Sequence, residues 1–163
     1  LEFDAWDCWS WIGNCFFDRV VFKMIPALIL ILLGVLLFVS YLDIKYKAVP
    51  SVILTSMIFV VLLLRPENVY FGLVAFVFAI LIRDLINDVA GLDFGNADIK
   101  IFIVMGLLIG NLQNFFFLIL IFLIFQFVYT LMWRWKVSNE AEMPFIPCLT
   151  AVYIAMALLG GFA

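Results

Sequence analysis

Residues 115–133 read FFFLILIFLIFQFVYTLMW, a stretch without a single formal charge. About 20 apolar residues in helical form cross the ~30 Å hydrocarbon core of a bilayer, so this run is read as a transmembrane helix. Working outward, five more charge-free runs appear: 24–42, closed by Asp43; 51–64, bracketed by Pro50 and Pro66; 69–82, ended by Arg83; 101–110, extended by polar residues to Asn114; and 145–163. The first, fifth and sixth approach a full span, whereas the middle three are short and need local thinning of the bilayer or shielding by neighbouring helices. Hydrophobic residues make up 68% of the 163 and charged residues only 13%. A soluble body this small could not hide so much apolar surface. The expected fold is therefore all-α: a polytopic membrane protein of about six transmembrane helices, with residues 24–163 as the membrane domain.

Residues 1–23, LEFDAWDCWSWIGNCFFDRVVFK, follow a different pattern. Phe3, Trp6, Trp9, Ile12, Phe16 and Val20 recur at three- and four-residue spacing, with Asp4, Asp7, Asn14 and Asp18 between them. That periodicity predicts an amphipathic, tryptophan-rich lead-in lying in the membrane interface. Cys8 and Cys15 stand two helical turns apart, about 10 Å by the helical rise and beyond disulfide reach.

Composition also excludes classes of function. Nine Lys+Arg against twelve Asp+Glu leave no basic surface for nucleic acid. The absence of histidine removes Ser-His-Asp and Cys-His nucleophiles and HExxH zinc sites. No CxxC pair is present for a zinc ribbon, and no metal or cofactor is expected.

With six crossings, Arg19, Lys23 and Arg65 share one side. Lys45, Lys47, Arg83, Lys100, Arg134 and Lys136 share the other. The positive-inside rule assigns the second set to the cytoplasm. Asp43 closes the first span and Asp98 precedes the fourth, two crossings later, so both acids are expected at the cytoplasmic face. Asp43 meets the partial negative charge at the end of its own helix, and Asp98 sits where a helix begins. These environments predict a protonated Asp43 beside an ionised Asp98, the asymmetry that a two-carboxylate peptidase needs to activate water and polarise a carbonyl. Asp84, Asp88, Asp93 and Asp98 fall within fifteen positions, the most acidic stretch of that length in the chain.

The residues around both acids resemble a known family. GNADIK (95–100) is similar to the GxGDxK motif of type IV prepilin peptidases and archaeal preflagellin peptidases. DIKYKAVPS (43–51) resembles that family's first aspartate with its polar loop and proline, and MPFIPCLTA (143–151) the stretch heading its last helix. Ala97 stands where the second glycine is usual, and PFIPC lacks an internal glycine. The cysteine-rich cytoplasmic domain of the bacterial enzymes is missing, so methylation is not implied.

The resemblance implies catalytic Asp43 and Asp98, supported by Gly95, Ala97 and Lys100. It implies a pilin or archaellin precursor as partner, with a short basic leader and a long hydrophobic helix. The leader would be cut at the cytoplasmic face of the cell membrane, and Asp84, Asp88 and Asp93 are expected to attract it. Three rival readings are a presenilin-like intramembrane protease, a transporter, and a non-catalytic assembly factor.

Overall fold

A computed structural model describes the backbone of residues 5–90, 94–136 and 143–162, and the side chains of 26–85, 94–136 and 143–162. Among the described residues the fold is all-helical: α1 (Ala5–Tyr46), α2 (Ser51–Leu64), α3 (Val69–Ala90), α4 (Asn96–Leu108), α5 (Leu112–Lys136) and α6 (Ile146–Leu158), with one 3₁₀ turn at Pro66–Asn68. The chain divides into two compact units, Leu1–Leu32 and Leu33–Ala163. In the first, helical backbone begins at Ala5 and runs through Pro26. The side chains of the expected interfacial lead-in lie outside the described residues.

Among the described residues, three segments are long and apolar enough to cross a membrane: Pro26–Tyr46, Pro66–Leu85 and Leu112–Lys136. Ser51–Leu64 and Ile146–Leu158 are apolar but shorter. Leucine and phenylalanine side chains cover the outside; Leu63 is 77% exposed and Phe127 67%. Water is a poor solvent for such a surface and lipid a good one, which is consistent with a membrane protein.

The second unit is organised around α4, its most enclosed helix. It packs against α2, α3 and α6, and nine of its thirteen residues are buried. Small residues allow the α3–α4 approach. A Cβ on Gly106 would lie 2.5 Å from Ala75 Cβ and 2.7 Å from the Phe71 carbonyl oxygen, the close backbone contact that glycine permits. The Asn68 amide donates to the Leu107 carbonyl oxygen at 3.0 Å, satisfying one of the open carbonyls at the end of α4. Phe102 meets Phe122 of α5 edge to face, with ring centroids 4.8 Å apart.

Several boundaries differ from the sequence expectation for local reasons. The third helix continues past Ile82 to Ala90, where Arg83 and Asp84 pair at 2.9 Å on an exposed turn. The fourth begins at Asn96 rather than at Ile101, because the Asp98 carboxylate holds its first turn. The last closes at Leu158, and the chain then turns through Gly160 at φ 72, a conformation that glycine adopts without strain.

Candidate functional site

A cleft of about 330 Å³ opens at the end of the second unit where α1 finishes and α4 and α6 begin. Asp43 and Asp98 both line it, together with Lys47, Val49, Met143 and Phe145. Lys47 adopts φ 50 and its N–H donates to the Asp43 carbonyl oxygen at 3.0 Å. This left-handed residue ends α1 and turns the chain away, so Asp43 sits in the last helical turn, facing the cleft.

Asp43 is half-buried. Its carboxylate accepts the Ile146 N–H at 3.3 Å, on Oδ2. Ile146 is the first residue of α6, and the first N–H groups of a helix have no partner within it. Asp43 therefore caps α6 from another helix. The carboxyl end of α1 and the amino end of α6 meet at this side chain, and their partial charges oppose one another.

Asp98 caps its own helix. Gly95 N–H donates to Asp98 Oδ2 at 2.9 Å, and Asp98 N–H donates to the Gly95 carbonyl oxygen at 3.2 Å. This is one half of a capping box, since glycine has no side chain to reciprocate. Asp98 is only 5% exposed, although it precedes the apolar run that starts at Ile101. Burial pushes its carboxyl up to about 7; the Gly95 N–H pulls downward, and the charge of Asp43 pushes upward. Burial thus outweighs the helix end, and the expectation of a readily ionised Asp98 is corrected. The second oxygen, Oδ1, is buried without a hydrogen-bond partner. Such an orphan is costly unless it is protonated or meets a ligand.

The remaining expected site residues are distributed unevenly. Gly95 and Ala97 line the cleft. A Cβ on Gly95 would come 3.7 Å from Asp98 Oδ2, ordinary contact, so small size there is not needed for Asp98 alone. Lys100 directs its ammonium to α2, donating to the Ser51 hydroxyl and, at 2.8 Å, to Thr55 Oγ1. Its structural work is to tie α2 to α4. Lys100→Met keeps the aliphatic stem but removes these donors, and is expected to lower stability by about 1–2 kcal/mol in detergent thermal melts. An unchanged melting temperature would show the tie to be idle. Asp84 is exposed and paired with Arg83, while the Asp88 side chain and Asp93 lie outside the described residues. Among the described residues, no group of three or more histidine, cysteine or acidic side chains gathers to hold a metal ion.

Sequence reading missed Met143 and Phe145 as cleft walls. Phe145 packs edge to face on Phe94, with centroids 5.3 Å apart, which fixes the segment before α6 against the segment before α4. Their distance in sequence hid the pairing. Comparison with protein-family models, curated proteins and solved structures gives no match at all.

Proposed function

We propose that this chain is a membrane-embedded aspartic endopeptidase, acting on precursors of the type IV pilin or archaellin kind at the cytoplasmic face of a multi-pass protein. The observation that carries the reading is the convergence of Asp43 and a buried Asp98 with an unpartnered oxygen on one cleft. The resemblance of GNADIK, DIKYKAVPS and MPFIPCLTA to the prepilin peptidase motifs adds the substrate class.

The burial difference suggests the roles. Asp98 holds a proton, and half-buried Asp43 is the base. Asp43 takes a proton from water, whose oxygen attacks the scissile carbonyl carbon while Asp98 passes its proton to the carbonyl oxygen. The resulting diol collapses: Asp98 regains a proton from one hydroxyl, Asp43 gives its proton to the leaving nitrogen, and the C–N bond breaks. Both carboxyls return to their starting states.

The test is incubation of the detergent-solubilised protein with a peptide carrying a basic leader and a hydrophobic helix, beside Asp43→Asn and Asp98→Asn. Cleavage by the parent and loss in both variants are expected. Cleavage that survives either substitution removes that carboxyl from the reaction, and a parent that cuts nothing removes the peptidase reading.

Attraction of the leader is a weaker effect. Neutralising Asp84, Asp88 and Asp93 together is expected to raise KM a few-fold for a basic leader, at about 0.2–1 kcal/mol per exposed pair, and to leave a neutral-leader peptide unaffected. Equal losses on both peptides would end the steering idea. Asp84 should contribute least, because Arg83 already faces it.

A further inference from the structure

Three polar contacts join the last turns of α1 to the first turn of α6. Ser40 and Thr150, both buried, bring their hydroxyl oxygens within 2.6 Å. The Thr150 hydroxyl also donates to the Ile146 carbonyl oxygen at 2.9 Å. A threonine hydroxyl has a single proton, so the bond between the two side chains must use the proton of Ser40. Ile146 in turn donates its N–H to Asp43. The chain of contacts runs Ser40, Thr150, Ile146, Asp43, and it begins and ends on α1, one helical turn apart.

We propose that Ser40 and Thr150 are positioning residues that hold Asp43 at its working place in the cleft, by fixing the first turn of α6 against the last turns of α1. The inference rests on the peptidase reading for its catalytic consequence, but the bracing itself does not. Two rungs between the same helices stop α6 from rotating or sliding along α1. With one rung, the 3.3 Å contact to Ile146 would be the only polar restraint in this chain of contacts, and it is a long one. Both hydroxyls are buried away from water, so neither is needed for solubility.

Thr150→Val keeps the volume and branching and removes the hydroxyl, and the freed Ser40 hydroxyl can turn to a carbonyl in its own helix. Two measurements on the chain in detergent test the proposal. The first follows labelling of Asp43 by a hydrophobic carbodiimide, located by mass spectrometry and normalised to exposed Asp84. The rate at Asp43 is expected to rise several-fold in Thr150→Val and in Ser40→Ala, and to return to the parental rate in Thr150→Ser. The second measures peptide cleavage, where kcat is expected to fall by up to about 100-fold with KM little changed, as for a misplaced reacting group, and Thr150→Ser is expected to restore it.

An unchanged labelling rate in both deletion variants overturns the bracing. So does a loss of kcat that Thr150→Ser fails to rescue. Raised labelling with no cleavage by the parent protein upholds the bracing and overturns the peptidase reading instead.

Discussion

At pH 8, Asp98→Asn is expected to unfold at a higher temperature than the parent protein while cleaving no peptide. The two halves of this result have one cause. Asp98 lies almost wholly out of water, and its carboxyl moves from the ordinary 3.8 up to about 7, chiefly through burial. Between those values the folded protein keeps a proton that the unfolded chain has released. Stability is therefore full below about pH 4, declines as pH rises, and above pH 7 is lower by roughly 4 kcal/mol, at 1.36 kcal/mol per pH unit. Asparagine is neutral throughout and retains an acceptor for the Gly95 N–H. The melting temperatures of parent and variant should converge near pH 4 and separate above pH 7, the variant higher. Parallel curves across this range would mean that Asp98 is not a neutral buried group. Activity moves the other way, because a positioned acid–base group contributes about 10²–10⁴-fold and the amide protons are far too weakly acidic to be transferred. A variant both more stable and inactive separates a chemical role from a structural one.

Gly106→Ala is expected to destabilise the protein by about 1–3 kcal/mol, the usual cost of forcing a methyl group into a filled interior. The added carbon meets Ala75 Cβ and the Phe71 carbonyl oxygen inside contact distance. Neither obstacle is the end of a flexible side chain, so no change of rotamer relieves the clash and α3 must move from α4. Because α4 carries Asp98, cleavage should fall with stability. Gly34→Ala is the control: a Cβ there meets nothing within 4 Å, and alanine favours helix over glycine by about 1 kcal/mol. Thermal melts of both variants in the same detergent decide the matter. If Gly106→Ala melts with the parent, α3 and α4 are not in the close contact described.

The helices were readable because lipid-compatible runs need no partner to be recognised. Pro50 and Pro66 bracket α2, whose bounds at Ser51 and Leu64 follow from those breaks, and the run at 115–133 falls inside α5. Contacts between distant residues were not readable. Helix ends alone suggested that Asp43 meets only an unfavourable terminus, yet the amino end of α6 reaches it from 103 positions away. The same blindness applied to Lys100, which stands on the acid's own helix but whose hydrogen bonds go to α2. Local electrostatics also misjudged Asp98, since a helix start favours charge and only the packing around α4 reveals how deeply that start is covered. Motif resemblance pointed to both acids without any knowledge of these contacts.

The bond between Ile146 and Asp43 also has a meaning in time. Chains are made amino end first, at about 5–20 residues per second. When α1 and α4 have left the ribosome, the segment that caps Asp43 has yet to emerge. Both carboxyls are then present, but the cleft lacks a wall and its first acid lacks an anchor. Until α6 docks, the cleft stays open on one side, and only its arrival closes a wall around both acids.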